Sequence, residues 1–415
     1  VASGTLPNGR AVILKDNGQV EVVGLSAVSE TIPLGSSSVF NTNQTRWNSV
    51  AFVSSNKFVL AFTNSSNYST AIVGTVSGSS ISFGTAVTIL AASSNYLRVA
   101  ADPNTAGKVV FAYSKGNQGA AKAGTVSGTS ISLGSEAVFE NAAMNYLSLA
   151  FDTLTPNRIA VAYRDDGNSD YGTCCVGVVS GLSISFGTPV VYVSADIQDP
   201  FVSFDSKTAN KCVVSYTLQS NGYGRANVGT LSGTNSISFG SYSTFHSALI
   251  RPGNVSMSYN PNTANQFVVV YGENEDYGTA IVGTVSGTSI SFATAVRFQS
   301  TAISYVSMAF DTSTVGKFVV AYRSEGNSYY GTTIVGTLSG TTPSFGSIST
   351  FQSSNLYDST GVSFDSANAG KFLITYSNQA NSRYGTAVLG QLAAQVTNLT
   401  STNFVGFASE AISSG

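Results

Sequence analysis

One phrase, Val73-Gly74-Thr75-Val76-Ser77-Gly78, returns along the chain and limits what the chain can fold into. Its first glycine recurs at Gly124, Gly177, Gly229, Gly283 and Gly336, and in reduced form at Gly24 and Gly390. Counted from Gly24, the intervals are 50, 50, 53, 52, 54, 53 and 54 residues. A period of this size means a solenoid, a propeller or an array, built from units that cannot bury their apolar faces alone.

Each period carries four strand-like pieces, clearest between residues 305 and 351. Tyr305-Val306-Ser307-Met308-Ala309-Phe310 alternates apolar with small residues, as a strand with two unlike faces does. Lys317-Phe318-Val319-Val320-Ala321-Tyr322 is apolar almost throughout, as expected of a strand covered on both sides. Thr332 to Leu338 forms the third piece, and Pro343-Ser344-Phe345-Gly346, continuing to Phe351, the fourth. Gly, Ser, Asn and Asp fill the connections, which suits tight turns.

These units predict an all-β fold: a seven-bladed β-propeller of four-stranded antiparallel blades, residues 31–391. The last unit, roughly residues 357–391, lacks a fourth strand, while Thr31-Ile32-Pro33-Leu34-Gly35 through Phe40 reads as an orphan fourth strand. Pairing the two closes the ring and leaves no open sheet edge. Residues 1–30 read as an N-terminal segment with a hairpin around Asp16-Asn17-Gly18. Residues 392–415 read as a C-terminal linker to a region downstream, and Val1 in place of Met reads as a processed or excised chain.

Composition narrows the chemistry. The net charge of -2 offers no basic surplus for phosphates, so nucleic acid is not an expected partner. No apolar run reaches about 18 residues, so membrane insertion as a helix is not expected. There is a single histidine, His246, with no nucleophile elbow beside it, and no Cys/His zinc spacing. No cofactor and no metal ion is expected. Cys174 and Cys175 are adjacent in a strand and should face opposite ways; with Cys212 they read as small apolar core residues.

The repeats also differ from one another in a patterned way. Asp102, Asp152, Asp205, Asp311 and Asp365 each stand six residues before a basic residue, with Asn260 before Gln266 at the same interval. One acidic residue per hairpin reads as a turn-former accepting backbone N–H groups. Tyr113, Tyr163, Tyr216, Tyr271, Tyr322 and Tyr376, with Phe62, read as a packing ladder, and so does the series Tyr68, Tyr171, Tyr223, Tyr277, Tyr330 and Tyr384. The connections from strand four to strand one vary most, and with those from two to three they emerge on one side, where a specific surface can be written. That side carries the candidate ligand-binding residues Arg46, Trp47, Arg98, Arg164, Asp165, Asp166, Arg251, Glu273, Glu275, Arg323, Glu325, Tyr357 and Asp358. Aromatic faces suit sugar C–H groups, while guanidinium and carboxylate groups bind hydroxyls. Carboxylate pairs such as Asp165 with Glu325, or Glu273 with Asp276, would be the material for glycoside hydrolysis.

A family resemblance adds to this reading. The opening Gly4-Thr5-Leu6-Pro7-Asn8-Gly9-Arg10-Ala11-Val12, the recurring Val-Gly-Thr-Val-Ser-Gly units and the closing Leu399-Thr400-Ser401-Thr402-Asn403-Phe404-Val405-Gly406 resemble tail-fibre and other appendage proteins of marine bacteriophages. The resemblance implies a non-enzymatic protein at the virion surface that adheres to a host-cell glycan or other receptor, or joins other virion proteins. It also implies a homotrimer. A purely structural virion module and a glycan-cleaving hydrolase are the alternatives.

Overall fold

Burial on both faces explains the continuous apolar runs. In Lys57–Thr63, Phe58, Leu60 and Phe62 enter a core layer with Leu373, Ala387 and Leu389, while Val59 and Ala61 enter another with Val109, Phe111 and Tyr113. Lys317–Ser324 divides in the same way, Phe318, Val320 and Tyr322 on one side and Val319 and Ala321 on the other. The core is therefore a series of layers between sheets. Each fully buried Val, Leu or Phe contributes about 1.5–3 kcal/mol, so these layers outweigh any single hydrogen bond. Cys174 and Cys175 fall in different layers, as strand alternation requires. All three thiols are free and buried, and burial pushes Cys175 and Cys212 up to about 12.

The computed structural model describes residues 11–14, 20–22, 30–274, 277–357, 360–392 and 404–407. They belong to two compact units, Thr31–Leu392 and a smaller one drawn from Val1–Glu30 and Ala393–Gly415. In the smaller unit Ala11–Leu14 pairs antiparallel with Val20–Val22, as a hairpin should, and also with Phe404–Phe407. Where the sequence pointed to a linker, the chain thus adds a third strand. The turn around Asp16-Asn17-Gly18 lies outside the described residues.

The larger unit is all-β and antiparallel, with only the short 3-10 turns Asp166–Asn168 and Gln379–Asn381 among its described residues. Its strands form six hydrogen-bonded sheets, each in sequence order except one. The first runs Arg46–Ser54, Lys57–Thr63, Tyr68–Ser77, then Ser80–Phe83 and Val87–Ser93 end to end along the third strand. The expected fourth strand is thus broken in two in most units, although Ser130–Glu140 is continuous. One sheet has nine strands because Val190–Phe204 is shared, its first part pairing with Tyr171–Ser180 and its second with Lys211–Leu218. The exception to sequence order is Ser38–Gln44, which pairs with Tyr384–Gln391 at the other end of the unit. Leu34 bridges Gly390 alongside it.

The repeated phrase has a steric reason. A Cβ at Gly74, Gly283, Gly336 or Gly390 would lie 2.1–2.2 Å from the ring of Phe58, Phe267, Phe318 or Phe372. A second contact recurs in strand three, where Gly119, Gly224 and Gly331 lie under Phe139, Phe245 and Phe351. Phe40 lies over Gly385 in the same way, so the early strand makes the contact of a fourth strand. The turn-end glycines, Gly78 through Gly340, have φ near +60, a conformation that penalises other residues.

Neighbouring sheets are tied by polar bonds as well as by the layers. The Oγ atoms of Ser203, Ser256 and Ser307 accept the N–H groups of Tyr259, Met308 and Val362 at 3.1–3.2 Å, and within the nine-stranded sheet Ser148 Oγ accepts the Val202 N–H at 3.1 Å. The repeated aspartates act in the turns as expected and then reach further. Asp205 and Asp311 accept N–H groups of their own turns and also those of Asn265 and Gly370 in the following sheets. Asp365 does the same with Asn56, joining the last sheet to the first.

Candidate functional site

Every described leading strand from Arg46 to Phe310 is interrupted by a register shift, near its start or, in the shared Val190–Phe204, near the start of its second part. At each shift one residue takes positive φ: Trp47 (54), Tyr96 (52), Tyr146 (48), Asp199 (49), Gly253 (77) and Tyr305 (54). This left-handed region costs an L-residue about 1–2 kcal/mol, and glycine adopts it freely. Four of these six positions nevertheless hold an aromatic residue. The bulge lets these side chains line a common space while Trp47, Tyr96 and Tyr305 still pack against the edges of the layers.

That space is a depression of about 630 Å³, within the range of small-ligand clefts. Trp47, Tyr96, Tyr146, Tyr305 and Tyr357 line it, with Arg46, Arg98 and Asp199. The Trp47 and Tyr96 rings are 4.4 Å apart and the Tyr96 and Tyr146 rings 5.3 Å apart, tilted by 43° and 45°, so the three form a continuous arc. Guanidinium groups support the aromatics. Arg164 lies 5.3 Å from the Tyr146 ring, and Arg323 lies 4.6 Å from Tyr305 and 5.0 Å from Tyr329. Both are held by carboxylates, Arg164 by Asp166 at 2.7 Å and Arg323 by Glu325 at 3.2 Å. Arg323 also donates to Ser304 Oγ at 2.8 Å.

Burial pushes the Tyr96 hydroxyl up to about 12 and raises that of Tyr146, so both remain proton donors at neutral pH. Desolvation raises the Asp199 carboxyl to about 6, against the opposing pull of the Gly253 N–H and Arg98. The Gly253 N–H donates to Asp199 Oδ2 at 2.5 Å. Among the described residues lining the depression, Asp199 is the only carboxylate.

The structure sorts the residues picked from sequence. Arg46, Trp47, Arg98 and Tyr357 line the depression. Arg164, Asp166, Arg323 and Glu325 brace its aromatics. Asp165 is buried, and its carboxyl is raised to about 6 by burial and by Glu140, so it turns away from any ligand. Arg251 donates to Asn274 at 3.1 Å, while Glu273 accepts from Thr279 and pairs with Arg297; neither lines the depression. Glu275, Asp276 and Asp358 lie outside the described residues. His246 stacks 4.9 Å from Tyr271, away from the depression, and burial lowers its pKa.

Two sequence expectations need correction. The first two connections from strand four to strand one are hardly loops: only Thr45 separates Ser38–Gln44 from Arg46–Ser54, and only Ser94 separates Val87–Ser93 from Asn95–Ala101. Their Ser- and Asn-rich residues continue as strand, and the variation falls on the bulge instead. The two tyrosine series also part company. Tyr113, Tyr163, Tyr216 and Tyr376 are buried with hydroxyls bonded to Glu136, Glu140, Asn227 and Gln352, as a packing ladder should be, although the Tyr322 hydroxyl has no partner. Tyr68 is 37% exposed and the rest of its series half-buried.

Tyr96, Tyr146, Asp199 and Tyr305 were not singled out from sequence. A signal was present. Arg46-Trp47-Asn48-Ser49, Asn95-Tyr96-Leu97-Arg98, Asn145-Tyr146-Leu147-Ser148 and Ser304-Tyr305-Val306-Ser307 align, with the aromatic second in each.

No family model matches the chain, and no curated protein matches it. Solved structures do resemble it in fold. A lectin from Burkholderia pseudomallei superposes with a TM-score of 0.62 at 11% identity, covering 85% of this chain and 97% of the lectin chain. A chain of the mitotic checkpoint complex superposes with a TM-score of 0.56 at 8% identity, covering 90% of this chain and 98% of that one. The larger unit is an all-β, β-propeller-like fold built from repeats.

Proposed function

We propose that this chain is a non-enzymatic glycan-binding protein, a closed seven-bladed β-propeller whose depression receives sugar rings on the arc of Trp47, Tyr96 and Tyr146. The observation that carries this reading is the set of aromatic residues at left-handed bulge positions. Backbone strain concentrates at functional positions, and packing does not demand an aromatic where Gly253 serves in the same place. Ring faces receive sugar C–H groups, and the Tyr hydroxyls, Arg98 and Asp199 supply directional bonds to sugar hydroxyls. A single carboxylate among the described lining residues favours binding over two-carboxylate hydrolysis.

Ring closure is supported by bonds that link the last sheet to the first. The Phe52 N–H donates to Ser363 Oγ at 3.4 Å and the Asn56 N–H to Asp365 Oδ2 at 2.7 Å. Ser38–Gln44 then supplies the fourth strand of the last blade. The resemblance to phage appendage proteins supports a place on a virion surface with a bacterial envelope glycan as partner.

The test is a glycan array of bacterial envelope polysaccharides, followed by calorimetry with Trp47→Ala and Tyr96→Ala. Binding weakened about tenfold or more in both variants, with unfolding unchanged, is expected. No binding to any glycan, or binding indifferent to both substitutions, would overturn the reading.

A further inference from the structure

We propose that the sugar taken by this depression is acidic, and that Arg46 and Arg383 clasp its anionic group. This inference rests on the glycan-binding reading and narrows it. Tyr357, at the edge of the depression, carries two guanidinium groups: Arg383 lies 3.6 Å from its ring centre and Arg46 5.9 Å. Arg46 Nη2 also donates to the Tyr357 hydroxyl at 3.2 Å, and Arg383 Nε donates to Gln379 Oε1 at 3.2 Å.

Several of the other described arginines are neutralised. Arg158, Arg164, Arg297 and Arg323 each hold a carboxylate. Among the described residues no carboxylate lies within ion-pair distance of Arg46 or Arg383. Two like charges sharing one ring repel each other, and an oxyanion placed between them relieves both. Arg46 is exposed and Arg383 half-buried, so salt should screen this gain. Guanidinium geometry matches a carboxylate in particular, through paired N–H donors.

The charge distribution also orients a ligand. Around Arg164, beside Tyr146, Asp166, Asp170 and Asp196 lie at 2.7, 3.4 and 3.6 Å, so that end carries more negative than positive charge. An acidic sugar is repelled there and drawn toward Arg46, whose sequence neighbour Trp47 begins the aromatic arc. The chemistry required is a sugar ring bearing an oxyanion, supplied by a uronic acid or by a sulfate ester.

The experiment compares three probes on the full chain by calorimetry at two salt concentrations: polyuronate oligosaccharides, their carboxyl-reduced neutral counterparts, and a sulfated form of the neutral chain. Wild type should bind the polyuronate at least about tenfold more tightly than the neutral chain, with salt weakening only the acidic ligands. Arg46→Gln and Arg383→Gln should each weaken binding of the polyuronate and remove most of that preference. Equal binding of the sulfated chain would support a clasp that reads charge, and selective binding of the polyuronate a clasp that reads carboxylate geometry. Neutral binding that equals or exceeds acidic binding, or a preference that survives both substitutions, overturns the clasp while the glycan reading stands. Binding of none of the three overturns the clasp, and the array above then decides the glycan reading by itself.

Discussion

Replacing Asp365 by Asn should weaken the fold far more than the same change at Asp102, although both begin the same repeated turn. Asp365 Oδ1 accepts the Ala367 N–H at 3.1 Å, and its Oδ2 accepts the Asn56 N–H and Asn368 Nδ2, each at 2.7 Å. An amide retains one acceptor oxygen, so an NH2 group must confront donors on the other side. Losing a bond to a charged acceptor and stranding a buried N–H costs about 2–4 kcal/mol. Asp102 Oδ1 accepts the Asn104 N–H at 2.9 Å, but its buried Oδ2 has no partner. An amide nitrogen there displaces nothing, and removing a buried charge offsets part of the change, so the cost should stay below about 1 kcal/mol. Asn260 shows that the turn tolerates an amide when the neighbour is served otherwise: its Oδ1 accepts the Asn262 N–H, and Asn262 accepts the Gly316 N–H of the next sheet. With about 2.1 cal/mol/K of unfolding entropy per residue over Thr31–Leu392, each kcal/mol moves the melting midpoint by about 1.3 °C. Calorimetry should therefore show a drop of about 3–5 °C for Asp365→Asn and about 1 °C or less for Asp102→Asn. Equal drops, or no drop at Asp365, would refute the claim that these carboxylates staple one sheet to the next.

Two further outcomes follow from the same geometry. Phe40→Ala removes a ring packed 5.1 Å from Phe62 and 6.1 Å from Phe83, and should cost about 3–5 kcal/mol in urea unfolding at unchanged slope, whereas Val39→Ala, 42% exposed, should cost under about 0.5 kcal/mol; similar costs would mean that Ser38–Gln44 does not pack as a fourth strand. Asp199, with its folded carboxyl raised to about 6 from 3.8, takes up its proton more readily folded than unfolded, so its contribution is fully present at low pH and lost as pH rises through about 6; Asp199→Asn should therefore gain stability relative to wild type between about pH 4 and pH 7, and melting curves showing the opposite trend would mean that Arg98 outweighs desolvation.

The fold was legible because the repeat carries its own geometry. Gly336 is required by the ring of Phe318, and the place of Phe40 over Gly385 matches that of Phe351 over Gly331, so a strand separated by some 340 residues from its partner could be recognised by counting units. Alternation likewise placed Cys174 and Cys175 in separate layers. The site was only partly legible, for two physical reasons. Residue type does not announce a left-handed bulge: Trp and Tyr disfavour positive φ, and the fold imposes it at Trp47, Tyr96, Tyr146 and Tyr305. Ser- and Asn-rich stretches such as Ser93-Ser94-Asn95 read as loops, yet pairing with strand three holds the first of them as strand.

Asp165 shows the converse error. It neighbours Arg164 and Asp166, whose side chains brace the site, but alternation along Arg158–Asp165 sends its own carboxyl inward. A run of charges in a connection is therefore a weak guide to a surface when the connection is itself the end of a strand. The better guide is a position that recurs in every unit but changes its side chain from unit to unit. The bulge meets that description in six units, with Trp, Tyr, Tyr, Asp, Gly and Tyr, and it brings one residue from each of these six to the same depression. A repeated position of this kind is open to variation because each substitution acts first on the shared space, although Trp47, Tyr96 and Tyr305 also touch the layers beside them.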